Sequence, residues 1–175
     1  MAVRAIATVG HPVLRQPARV LSRDELASPA VQQLIDDLID TMRAADGAGL
    51  AANRRYPYKP PIPLTVLVNP VLTPLDDEVV AVNEGCLSVP DLRGEVLRHV
   101  RVQVQYLDRL GEAHDVTVRG LTAGTFQHEC DHLDGVLFLD RVSDPTTFTT
   151  WEQFERYHRA EFVERITAFV ARVGS

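Results

Sequence analysis

His128-Glu129-Cys130-Asp131-His132 sets two imidazoles four positions apart, with a carboxylate beside the first. On a helix turning about 100° per residue, His132 returns to within about 40° of His128, one turn further along the axis. Two ring nitrogens then share one face and can grip a metal ion. Glu129 projects about 100° round from His128, where it can reach a water on that metal, take a proton from it and hand it on. Hydrolytic metal centres use three protein ligands and keep a fourth position for water, so a third ligand has to come from elsewhere in the chain.

Three sources offer one. Continuing the helix pattern as His-x-x-Gly-x-x-His places Gly135 correctly but finds Phe138 where the last histidine is needed. Glu152, Glu155, Glu161 and Glu164 could supply a carboxylate from the helical C-terminal segment. Cys86, in Glu84-Gly85-Cys86-Leu87-Ser88, could supply a thiolate, a good ligand for a borderline-soft cation. With only two cysteines, the chain has no disulfide framework. Cys130 lies about 200° round the helix from His128 and suits a small core position. On chemistry alone, Cys86 is equally a buried thiol at a strand end or a ligand.

Three blocks carry a resemblance: Gly47-Ala48-Gly49-Leu50-Ala51-Ala52, then Glu84-Gly85-Cys86-Leu87-Ser88, then Gln127-His128-Glu129-Cys130-Asp131-His132-Leu133. In this order they resemble the signature runs of the peptide deformylases. The likeness extends to Gly10-His11-Pro12-Val13-Leu14-Arg15 and to Tyr106-Leu107-Asp108 with Gly111-Glu112, covering roughly Ala5 to Val142. It implies one divalent metal ion held by Cys86, His128 and His132, with Glu129 as the catalytic carboxylate and the backbone N–H of Leu87 meeting the oxyanion. Ferrous iron is the expected native metal, and ligand softness allows zinc, nickel or cobalt. The implied substrate is the N-formyl group on the N-terminal methionine of newly made polypeptides, released as formate. Gly47, Gly49, Leu50, Glu84 and Arg93 are the expected substrate contacts, and Glu84 is expected to pair with Arg98.

The chain departs from the family at one place. After Gly-Leu-Ala-Ala the family has one variable residue and then a glutamine that shares the oxyanion; here Asn53 is followed by Arg54-Arg55-Tyr56-Pro57. Either a block has been deleted, or the sequence joins the flanks of a segment missing from it. Loss of a strand beside the site would expose sheet edges and core surface, which favours the second explanation. Two other readings of function stay open. One is a zinc peptidase of the same helix type with a C-terminal Glu as third ligand. The other is a weakly active metal-bound relic that binds nascent chains.

The elements that must position these residues are legible as patterns. Ser28-Pro29 caps a helix carrying Val31, Leu34, Ile35, Leu38, Ile39 and Met42 at helical spacing, which Gly47 is expected to stop. From Thr65 to Val118 short β-rich runs follow: 65–68, 78–82, 95–98, 100–106 and 114–118, with alternation at Val100, Val102, Val104 and Tyr106. Gly120 introduces the metal helix, expected over 122–134, and Gly135 ends it. Trp151, Phe154, His158, Phe162, Ile166, Phe169 and Val170 mark a C-terminal amphipathic helix. The expected fold is α+β: antiparallel sheets packed around a central metal-binding helix, with N-terminal and C-terminal helices, in one domain over 1–175.

At 175 residues the chain can bury a sizeable core. A net charge of −6, with Lys59 the single lysine, argues against nucleic acid or an anionic membrane as a direct partner, while leaving room for a transient ribosome contact. Met1 to Ile6 lacks the apolar core of a secretory leader, and no apolar run is long enough to span a bilayer. A cytoplasmic monomer acting on N-formylmethionyl nascent peptides is the expectation.

Overall fold

The structure is a computed structural model that describes residues 2–45 and 62–174. Ser22 opens α1 (Arg23–Ala27) through a capping box with Glu25, its side chain accepting from the Glu25 N–H while Glu25 accepts from the Ser22 N–H. Ser28 then serves two helices. Its hydroxyl donates to the Glu25 carbonyl at the end of α1 and accepts from the Val31 N–H at the start of α2 (Pro29–Ala44). Asp37, buried on α2, straps the N-terminal segment down by accepting from the Ala2 N–H and the Arg4 guanidinium.

The β-rich region forms two three-stranded antiparallel sheets. In the first, β1 (Val68–Pro74) pairs with β4 (Arg101–Leu107), which pairs with β5 (Ala113–Arg119). In the second, β2 (Val79–Cys86) pairs with β3 (Val89–His99), which pairs with the short β6 (Thr149–Thr150). β1 starts later than the expected 65–68 run and continues through Pro70 and Pro74. It can do so because it is an edge strand, where a missing N–H costs no ladder bond, and because a bulge follows Val68. Asn69 sits in that bulge at φ 51° and ties it to Leu21 through both its amide groups. The expected 78–82 and 95–98 runs are pieces of longer strands, so β2 reaches Cys86.

The metal-helix segment is α3 (Gly120–Leu133), entered through Gly120 at φ 61°. Its Ala123 and Phe126 pack on Val102 and Val104 of β4, the inward side of the predicted alternation. Gly135, at φ 73°, ends it as expected; a Cβ there would lie 2.8 Å from the Arg15 carbonyl carbon, so only glycine lets the chain pass the N-terminal segment. α4 (Phe138–Arg141) seats Phe138 against Val89 and Val96 of β3.

The C-terminal stripe is three pieces: α5 (Trp151–Gln153), a wider π-type turn over Phe154–His158, and α6 (Arg159–Val173). Eight residues of regular helix would leave Phe162 about 80° away from Phe154. The extra residue in the wide turn removes that offset, bringing the rings to 5.6 Å and turning His158 out to solvent. Phe154, Phe162, Ile166 and Phe169 then close over Val100 and Leu121. The result is the expected α+β arrangement, with α3 between a sheet and the C-terminal helix. Among the described residues no helix is long and apolar enough to cross a membrane.

Candidate metal centre

β2 runs into a tight turn at Leu87 and Ser88, and a register shift between Gly85 and Cys86 aims the Cys86 thiol away from the regular ladder and onto α3. Its Sγ lies 3.3 Å from Nε2 of His132. The His128 and His132 rings stand edge to face with centroids 5.0 Å apart. The donor atoms of Cys86, His128 and His132 all fall within 4.8 Å of one another, close enough for a single cation between them. One soft thiolate with two imidazoles suits a borderline divalent metal. These residues fit it.

Glu84 explains the orientation of His128. Its Oε2 lies 2.9 Å from His128 Nδ1, which fixes the proton on that nitrogen and turns Nε2 toward the cysteine. Glu84 also receives two hydrogen bonds from Arg98, 2.7 Å from Nε to Oε1 and 2.9 Å from Nη2 to Oε2. Burial pushes the Glu84 carboxyl up, but Arg98 and His128 outweigh it and hold the group at about 2. Burial likewise raises the Cys86 thiol, and the two imidazoles reverse this to about 6. For His128 burial disfavours the charge, while hydrogen bonds to Cys86 and Glu84, with the Glu129 charge, lift it to about 10. The three groups behave as one coupled set, in which a thiolate faces a proton that a cation can displace.

Glu84, expected as a substrate contact and as the partner of Arg98, lines the cleft but is only 8% exposed, with both oxygens engaged by Arg98 and His128. Arg93 is similarly engaged. It donates to the Asn83 side chain and carbonyl at 2.5 and 2.8 Å, and its guanidinium lies 3.9 Å from the Trp151 ring centre and 4.7 Å from that of Phe154. It props β2 just before the cysteine, on the border of a cleft that also receives Glu129, Leu87, Phe126 and Leu133. Gly47, Gly49, Leu50 and the Asn53–Arg54 junction lie outside the described residues.

Cys130 keeps away from the cluster, and burial with the neighbouring charges of Glu129, Asp134 and Asp131 pushes its thiol up to about 12. Gln127 is tied to the His99 backbone through both its amide groups, so it is no substitute for a missing oxyanion donor. None of Glu152, Glu155, Glu161 and Glu164 joins the two imidazoles, and Glu155 pairs instead with Arg159. A second close group, Asp108, Glu112 and His114, was not visible as a pattern, because the β4–β5 hairpin brings the three together. Sequence reasoning also missed Arg141, which binds Asp131 behind the site and belongs to no motif.

The family model described as polypeptide deformylase matches residues 3–55 and again 53–148. The chain belongs to the polypeptide deformylase family. The two matches overlap where the sequence leaves the family pattern. Peptide deformylase 1 of Nitrosomonas europaea is 41% identical over 162 positions, covering 83% of this chain and 91% of that protein. Those 162 positions use about 145 residues here, so about 17 positions of that deformylase stand opposite a gap. Peptide deformylase 1 of Prochlorococcus marinus is 43% identical, with 85% of each chain covered. Among solved structures, the Met-Ala-Ser-bound class I type b peptide deformylase of Acinetobacter baumannii superposes with a TM-score of 0.75 at 35% identity, covering 81% of this chain and 99% of that one. The described α+β fold is a deformylase fold.

Proposed function

We propose that this chain is a metal-dependent deformylase that hydrolyses the N-formyl group from the N-terminal formylmethionine of new polypeptides, with Cys86, His128 and His132 as ligands. The observation that carries this reading is the convergence of those donor atoms beside Glu129 in a chain of the family. Relatives of the chain are named peptide deformylases, and one solved structure is bound to Met-Ala-Ser.

Held by Cys86, His128 and His132, a divalent cation would supply Lewis acidity near neutral pH. The rest falls to the chain. Glu129, half-buried in the cleft, accepts the proton of the attacking water and delivers it to the departing nitrogen. The Leu87 N–H, in the turn beside Cys86, donates to the oxyanion. Leu87, Phe126 and Leu133 give the cleft an apolar wall suited to a methionine side chain. Glu84 holds the His128 tautomer while Arg98 neutralises its charge. Ferrous iron is the native metal in this reading, and the protein works in the cytoplasm as a single-domain monomer meeting nascent chains at the ribosome.

The departure at Asn53–Arg54 has a direct consequence if it is a true deletion. No glutamine occurs between Gln33 and Gln103, so a chain with nothing missing there lacks the side-chain half of the oxyanion site. Loss of one such donor lowers turnover by about two to three orders of magnitude. Formate release from a formyl-Met peptide, measured anaerobically with iron and separately with zinc, tests both statements. Metal-dependent release, slower than that of a deformylase carrying the glutamine, is expected. Full metal loading with no formate would leave only a binding relic.

A further inference from the structure

The charges behind His128 extend further than a metal site needs for orientation alone. Arg98, 3% exposed, gives Nε and Nη2 to Glu84 and Nη1 to Asp131 Oδ2 at 2.6 Å. Glu84 and Asp131 are themselves 8% and 7% exposed. Two buried carboxylates thus share one buried guanidinium; Glu84 has His128 as its second partner, whereas the second cation for Asp131 has to come from elsewhere. Burying an unpaired charge is costly, and the shared cation would be drawn toward either acid. The missing cation comes from the surface. Arg141, on α4, places Nη2 2.6 Å from Asp131 Oδ1 and Nε 3.3 Å from Oδ2, while its own side chain stays 49% exposed.

We infer that Arg141 is a positioning residue for the metal centre, acting through Asp131, Arg98 and Glu84 on His128. By satisfying Asp131 it leaves two of the Arg98 donors to Glu84, and that fork holds the carboxylate which fixes the His128 ring. The chain of contacts is continuous from solvent to ligand: Arg141 to Asp131, Asp131 to Arg98, Arg98 to Glu84, Glu84 to His128. Exposed ion pairs contribute little, but this one ends on a buried acid whose other partner is buried too. Remote supports of metal ligands change metal affinity by about 10- to 100-fold when removed.

The inference rests on the ligand assignment proposed above, and one experiment separates the two. The full chain is loaded with cobalt, and loss of the metal to excess chelator is followed through the thiolate-to-cobalt absorption band in wild type, Arg141→Met, Arg141→Lys and Arg15→Met. Arg15 forms an ion pair with Asp140 on the same short helix and serves as the control for a lost surface pair. Arg141→Met is expected to release cobalt about tenfold faster, Arg141→Lys to recover part of that loss by restoring the charge, and Arg15→Met to match wild type. In the same proteins formate release should show a lower kcat at unchanged KM for Arg141→Met alone. Equal release rates for Arg141→Met and wild type would overturn the inference, and so would a lysine no better than methionine. Absence of the thiolate band in wild type would refute the ligand assignment itself, and the inference with it.

Discussion

At the scale of single residues the two cysteines show how position decides chemistry. Both are half-buried thiols, yet the imidazoles hold Cys86 at about 6 while burial and acidic neighbours push Cys130 to about 12. Thiolates, not thiols, react with alkylating agents. In metal-free protein at pH 7.5, iodoacetamide should modify Cys86 well before Cys130, and added zinc should protect Cys86; peptide mapping that finds Cys130 labelled first would contradict the assignment. Glu129→Gln should keep metal binding while lowering formate release by about 10²- to 10⁴-fold, the usual contribution of a positioned acid or base. Metal stoichiometry measured beside activity distinguishes this from loss of the site. The proposed ligand set was legible because the two histidines share a helix and Cys86 lies in a signature run. Arg141 and Asp131 were not legible as a pair, since their contact depends on how α4 returns beneath α3. The Glu84–Arg98 pair was expected from the signature run and is present, whereas the contact from Glu84 to His128 depends on how β2 and α3 pack and was not legible.

At the scale of elements, composition located every large piece and misplaced several ends. The Ser28-Pro29 start of α2 and the Gly135 stop of α3 are local chemistry, so they could be read directly. β1 could not, because Pro70 reads as a breaker unless the strand is known to be at an edge. The interruption of the C-terminal helix also escaped, although its cause is in the spacing: Phe154 and Phe162 share a face only if one turn is widened. That wide turn exists to complete a core around Ile166, which is fully buried. Ile166→Ala should therefore cost about 2–5 kcal/mol in chemical denaturation, as for other large-to-small core changes. A cost below about 0.5 kcal/mol, the range of ordinary surface substitutions, would mean that this helix does not close the core.

At the scale of the whole molecule, two sheets, α3 and the C-terminal helix form the frame that brings a strand end and a helix face together at one point. Much of the frame is also pinned by carboxylates held ionised. Asp37 lies below the usual range through hydrogen bonds from Gln33, the Ala2 N–H and Arg4; Asp76 through Arg101; Asp108 through His114; and Glu84 is held at about 2. A carboxyl depressed in the folded state adds stability that is fully present above its unfolded value, about 4, and is lost as pH falls through the folded value. The thermal midpoint of metal-free protein should thus fall as pH drops from about 4 toward 2. A midpoint constant over that window would show that these contacts contribute nothing to folding. The α+β class could be read from the order of runs, whereas the split into two sheets could not, since register between distant strands is set by packing.

All of this converges on the claim that one sulfur and two imidazoles surround a single cation. X-ray absorption fine structure of the zinc-loaded protein measures that directly. The account predicts one sulfur at about 2.3 Å and two imidazole nitrogens at about 2.0–2.1 Å, with the sulfur lost in Cys86→Ser. A wild-type shell of nitrogen and oxygen alone would contradict it.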